Sequence, residues 1–169
     1  MRYKILGLIA VVSLVAACET ASEGGGAAAG GGAKPVETFT TPLGTVRPGS
    51  QEDLVVNVGD RVFFDFDKFS LKPDARKTLE KQAAWMKANP SVRVSIEGHA
   101  DERGTREYNL ALGERRANSA KDYLVSLGIN PARLKTISYG KERPVAMGSN
   151  EAAWAQNRRS VTVVSGAGS

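Results

Sequence analysis

The chain has 169 residues, 41% hydrophobic and 24% charged, which fits one globular domain with tails. Its formal net charge of +5 falls to +3 once Arg2 and Lys4 leave with a leader. That is too mild for nucleic-acid binding, and no basic stripe with interleaved aromatics accompanies it. One cysteine excludes an internal disulfide and one histidine excludes a histidine-rich metal site, so neither metal nor cofactor is expected.

Residues 1–17 place Arg2 and Lys4 ahead of an apolar run from Ile5 to Ala17, the layout of a signal peptide. The run is well short of the roughly 20 residues that span a bilayer. It closes on Val15-Ala16-Ala17-Cys18, which resembles a bacterial lipobox. That implies cleavage before Cys18, lipidation of the cysteine and, with Glu19 rather than Asp next, outer-membrane delivery. A plain signal peptide with a chance cysteine is the other reading. Two or more acyl chains anchor stably where one does so only marginally.

Residues 18–50 are rich in Gly, Ala, Ser, Thr and Pro, with two Gly-Gly-Gly runs. Such a segment buries too little apolar surface to offset ordering. It reads as a flexible tether averaging roughly 30 Å end to end and reaching about 110 Å when stretched.

The domain is expected over 51–169. Arg61 to Phe66 reads as a short strand, with Asp65 and Asp67 at its end. Pro73 suits a helix start; Ala75, Leu79, Ala83 and Met86 form its apolar stripe, and Asn89-Pro90 stops it. Ser91 to Glu97 alternates as a second strand. A long helix starts near Thr105 and ends near Gly128, with the stripe Gly113, Ala117, Ala120, Leu124 and Leu127. Leu134 to Tyr139 is a third strand, Glu151 to Asn157 a short helix, and Ser160 to Val164 the last strand. Strand–helix alternation in the order βαβαβ(α)β implies right-handed crossovers and a four-stranded sheet with helices packed on one face.

The charged stretch Gly98 to Ala117 follows a strand and opens a helix, where α/β folds tend to place a ligand. Asn109, Leu112 and Arg116 share one line of that helix, and helical side chains lean toward the N-terminus. Arg116 therefore faces the loop that holds Asp101. A carboxylate and a guanidinium on one small space suit a zwitterion, with Asp101 taking an ammonium and Arg116 a carboxylate; an internal salt bridge is the other reading. His99 reads as a hydrogen-bonded polar residue at the loop entry. Arg158 and Arg159 read as solvated helix-end charges, and Trp85 and Trp154 as packed at helix edges. Nothing marks a nucleophile.

Several separated motifs carry a family resemblance. GHADERGT, then Asn109, Leu112 and GERRA, then Ser138 to Glu142 and Asn157-Arg158-Arg159, with Phe63 to Lys68 upstream, closely resemble the OmpA-like peptidoglycan-binding domain. The likeness covers roughly 52–165; it implies an α+β fold with a mixed four-stranded sheet, and a pocket that the Asn157-Arg158-Arg159 segment borders. Arg106 stands where many relatives have Pro, and Ala100 where Thr is frequent. The resemblance implies a ligand set of Asp101, Arg116, Asn109, Leu112, Arg103 and Thr105, with Asp67 either touching ligand or capping its loop. It implies non-covalent binding of the peptidoglycan stem peptide at meso-diaminopimelate. It also implies an outer-membrane anchor at Cys18 on the periplasmic face, and partners that include TolB and other Tol proteins acting in envelope integrity and division. Two rival readings are a protein-binding adaptor of the same fold and a wall-cleaving enzyme using Glu97, Asp101 or Glu102.

Overall fold

The computed structural model describes residues 46–167. The leader, Cys18 and most of the expected tether lie outside them. The tether's last residues already belong to the domain: the Gly49 N–H donates to Asp53 (2.9 Å), and Ser50 caps helix α1 (Gln51–Asp53) by accepting from the Asp53 N–H (3.1 Å). The chain continues into a π-helical turn, Leu54–Val58, whose Leu54 is fully buried.

Four strands form one mixed sheet in the order β1-β4-β2-β3. They are β1 (Arg61–Phe63), β2 (Val92–His99), β3 (Leu134–Gly140) and β4 (Arg159–Ala167). β2 pairs in parallel with β3 and antiparallel with β4, and β1 runs antiparallel to β4 at the edge. Val92, Val94 and Ile96 alternate toward the helices, so β2 contributes the centre of the core.

Helix α2 (Pro73–Ala88) buries Ala75, Leu79, Ala83 and Met86, the stripe its spacing predicts. Its Gln82 is buried with both ends satisfied, donating to the Gly59 carbonyl (2.7 Å) and accepting from the Thr162 hydroxyl (2.8 Å). Helix α3 (Arg106–Ser126) buries Gly113, Ala117, Ala120 and Leu124 beside it, and the two helices share one apolar core with the sheet. Trp85 belongs to that core, and its indole N–H reaches Asp53 (2.7 Å). Helix α4 (Glu151–Asn157) packs instead at the rim, through Ala153 and Trp154.

The spacing of α3 from the sheet is set by glycine. A Cβ on Gly98 would fall inside the Gly113 carbonyl, and one on Gly113 would collide with the Ser138 hydroxyl. The helix thus crosses β2 and β3 at backbone contact, bringing its first turns over the C-terminal end of β2.

Strand boundaries differ from expectation at several ends: β4 runs to Ala167, three residues past the expected Val164, and β1 and β2 differ where they meet the site. β1 stops at Phe63 because the pairing beyond it is one-sided: the Phe64 N–H still reaches the Arg158 carbonyl in register (2.9 Å), but the Arg158 N–H is turned to the Trp154 carbonyl at the end of α4 (3.0 Å) and cannot return the bond. Asp65 and Asp67 therefore lie in a loop beyond the strand. β2 extends two residues further than predicted, to His99, because β3 and β4 flank it almost to its end.

Candidate functional site

The loop between β2 and α3 is built by its own polar groups. Thr105 caps α3, its hydroxyl accepting from the Tyr108 N–H (3.2 Å). Asn109 is buried and donates to the carbonyls of Arg103 (2.8 Å) and Thr105 (3.1 Å), which folds the loop back on the helix. Gly104 turns it at φ +91°, a backbone conformation that L side chains rarely adopt.

Facing this loop is the segment that follows β1. Arg116, fully buried on α3, holds that segment in place. Its Nε donates to the Lys68 carbonyl (2.9 Å), Nη2 to Asp65 (3.2 Å) and Nη1 to His99 (2.8 Å). Asp67, at φ 56°, is exposed and accepts from the Tyr108 hydroxyl, closing the mouth on one side. Between the two segments lies a cavity of about 210 Å³, lined by Phe66, Asp67, Asp101, Arg103, Tyr108 and Arg116 among others, with Leu112 and Asn109 from α3.

Asp101 is 4% exposed. Its Oδ1 accepts from the Arg103 backbone N–H (3.1 Å) and Nε (3.2 Å), and its Oδ2 from Arg103 Nη2 (2.6 Å) and Arg158 Nη1 (3.4 Å). Burial by itself raises the Asp101 pKa, but the Arg103 bonds and charge, with Arg158 behind them, outweigh it and hold the carboxyl below its ordinary range. The Arg103 guanidinium lies between two rings, 4.0 Å from the Phe66 centroid and 4.1 Å from that of Trp154. For Arg116, burial dominates and pushes the pKa down to about 10, with Arg158 adding repulsion and Asp101 opposing both, so the guanidinium stays charged at neutral pH.

The structure brings six of the seven expected ligand residues to one cavity: Asp101, Arg116, Asn109, Leu112, Asp67 and Arg103. Thr105 is outside the lining and acts as a helix cap. Asp101 and Arg116 share the cavity without forming an ion pair with each other; Asp101 pairs with Arg103 and Arg158.

Arg158 and Arg159 are not solvated, since both are buried. Arg158 bonds the Phe64 carbonyl (3.1 Å), Glu151 (2.6 Å) and Asp101, tying β1, α4 and the site loop together. Arg159 bonds the carbonyls of Asn157 and Arg143. His99 is a strand residue rather than a loop entry, and its ring nitrogens make no hydrogen bond within the chain. Its ring stacks on Tyr139 at 5.5 Å, and burial, reinforced by Arg159 and Arg143, lowers its pKa to about 4. Trp154 is more than a packed edge, forming one wall of the Arg103 slot. Phe66 and Tyr108 line the cavity in addition to the expected residues. The signal was present, in the Phe63 to Lys68 motif and the first turn of α3.

Among the described residues no helix is long and apolar enough to cross a membrane, and no group of three or more His, Cys, Asp or Glu residues could hold a metal.

A four-stranded mixed sheet with a charged cavity at the C-terminal end of its parallel strand defines an OmpA-like domain. The model of the OmpA family matches residues 63–158. The chain is 60% identical over 126 residues to the peptidoglycan-associated lipoprotein of Rhizobium meliloti (strain 1021), covering 75% of this chain and 72% of that one. It is 40% identical over 159 residues to the peptidoglycan-associated lipoprotein of Pseudomonas putida, across 94% and 95% of the two chains. The crystal structure of the peptidoglycan-associated lipoprotein from Burkholderia pseudomallei superposes with a TM-score of 0.60 at 45% identity, over 62% of this chain and 88% of that one. The chain belongs to the OmpA family and, within it, to the peptidoglycan-associated lipoproteins.

Proposed function

We propose that this chain is an outer-membrane lipoprotein that grips the stem peptide of peptidoglycan through the Asp101–Arg116 cavity and so ties the membrane to the wall. The observation that carries the reading is the cavity itself. Its 210 Å³ suits the end of one amino acid, and acidic and basic side chains line it together. The side-chain end of meso-diaminopimelate carries an ammonium and a carboxylate on one carbon. Three of the five Arg116 N–H groups are committed to carbonyls, which leaves two for a carboxylate. The ammonium goes to the acidic side, at Asp101 with Asp67 at the mouth. Charge-assisted bonds contribute about 1.5–3 kcal/mol each, so a single site holds modestly and many sites on one wall multiply the hold.

The anchor at Cys18 and the tether between it and the domain complete this reading. An acyl-held end and a wall-held end make the segment between them a tether rather than a tail. The proposal includes partnership with TolB and other Tol proteins and a role in envelope integrity and division, which membership of the peptidoglycan-associated lipoproteins supports. Catalysis is not part of the proposal. Arginines hold Asp101 ionised, and hydrogen bonds from Ser149 and Trp154 lower the Glu102 pKa, so neither carboxyl suits a general acid near neutral pH.

The test is a pull-down with purified peptidoglycan, with free meso-diaminopimelate as competitor. Wild type should sediment with the wall and be released by the competitor, and Asp101→Ala should lose most binding while still folding. Wall binding that survives Asp101→Ala and ignores the competitor would place the wall contact elsewhere.

A further inference from the structure

A carboxylate offers about four acceptor positions, and at Asp101 all four are filled from within the chain. Three of the donors belong to Arg103: the backbone N–H and Nε on Oδ1, and Nη2 on Oδ2 at 2.6 Å. Arg158 supplies the fourth at 3.4 Å. An ammonium arriving from solvent finds no unoccupied lone pair there, so something must leave.

The two arginines differ in their freedom to do so. The Arg158 side chain is 7% exposed and also bonded to Phe64 and Glu151, on which the packing of β1 and α4 depends. The Arg103 side chain is 31% exposed and lies in the cavity wall between the rings of Phe66 and Trp154. Its guanidinium also senses the carboxylates of Glu151 and Glu102, which gives it counter-charges to turn to.

We propose, resting on the stem-peptide reading above, that Arg103 is a resident cation in the ammonium subsite, that ligand displaces it from Asp101, and that this exchange selects zwitterionic ends over ammonium alone. A lone ammonium replaces one cation by another and gains little, while it also approaches the positive charges of Arg116 and Arg158. A zwitterion makes the same replacement and in addition delivers a carboxylate to the two uncommitted N–H groups of Arg116. The resident arginine raises the threshold for every cation, and only a ligand with the second charge clears it, which is discrimination by a built-in competitor. The aromatic slot holds the displaced side chain near the site, so the exchange is reversible.

Lysine and meso-diaminopimelate differ at their side-chain ends by that one carboxylate, which makes the experiment direct. Calorimetric titration compares a stem tripeptide ending in meso-diaminopimelate with the same tripeptide ending in lysine, on wild type, Arg103→Met, Asp101→Asn and the double variant. Methionine keeps an apolar stem between the rings and removes the side-chain donors. Arg103→Met should bind the lysine peptide at least tenfold tighter than wild type does and shrink the preference for diaminopimelate. The Asp101→Asn background should abolish this gain. Arg103→Met weakening both peptides equally, or leaving their ratio unchanged, would show that Arg103 is an ordinary ligand contact and overturn the proposal. A readout on unmodified protein covers the case of a poorly folded variant. The Arg103 Nε–Hε resonance should move on saturation with the diaminopimelate peptide, and a resonance that stays in place refutes the exchange alone. Wild type that binds neither peptide refutes the cavity assignment itself, and the exchange with it.

Discussion

Replacing Arg116 should unfold the site before it weakens any ligand contact. The guanidinium donates to the carbonyls of Lys68, Asp65 and His99 at 2.8–3.2 Å, and it is fully buried. Arg116→Ala removes three charge-assisted bonds and takes a donor from carbonyls of two separate segments, of which Asp65 keeps another, the Lys68 N–H (3.2 Å). At about 1.5 kcal/mol for each bond, the low end of the range, the loss is about 4.5 kcal/mol. That is a large part of the 5–15 kcal/mol that a domain usually possesses. Relaxation of the exposed 65–68 segment toward water recovers some of it, so the net expectation is about 3–4 kcal/mol. Arg116→Lys keeps a charge but reaches one or two of the three carbonyls, and should fall between wild type and Arg116→Ala. Arg115→Ala, on the exposed side of the same turn, is the control and should stay within about 0.5 kcal/mol of wild type. Urea unfolding at neutral pH with matched slopes measures all three. An Arg116→Ala domain within 1 kcal/mol of wild type would refute the view that this side chain ties the two segments together. It follows that Asp101→Ala, rather than Arg116→Ala, is the cleaner probe of wall binding.

The remaining predictions concern His99, the α3 crossing and the anchor. His99 has a folded pKa of about 4 against an ordinary value of 6.5, so the unfolded chain takes up its proton first as pH falls. Stability from this residue is complete above pH 6.5 and declines toward pH 4, by at most about 3 kcal/mol. A His99→Gln variant should show a flatter slope across that window in urea midpoints, and equal slopes would refute the assignment. Gly113→Ala should lower stability by about 1–3 kcal/mol or more, because its Cβ meets the Ser138 hydroxyl and the Gly98 backbone; a melting temperature equal to wild type would contradict the close crossing. Cys18→Ser should lose lipid labelling and leave the outer-membrane fraction, and full membrane retention of the unlabelled variant would sink the lipoprotein anchor.

Local pattern made most of the architecture legible. Helix α2 needed only Pro73 at its start, the stripe from Ala75 to Met86 and Asn89-Pro90 at its end. Those signals act within a few residues, and the observed helix runs from Pro73 to Ala88. The cap at Thr105 and the Asn109–Leu112–Arg116 line were readable for the same reason, as helical periodicity places side chains without reference to the rest of the fold. The ends of α4 followed likewise. What the sequence could not determine was which charge meets which. Arg158 lies 57 residues from Asp101, yet bonds it, while Arg116, fifteen residues away, bonds three carbonyls instead. Only the order β1-β4-β2-β3 brings the start of β4 between the ends of β1 and β2, and so carries Arg158 beneath the site loop. The burial of His99 and Arg159 was decided in the same way. A side chain's polarity is written in the sequence, but its solvent exposure depends on which distant segments close over it.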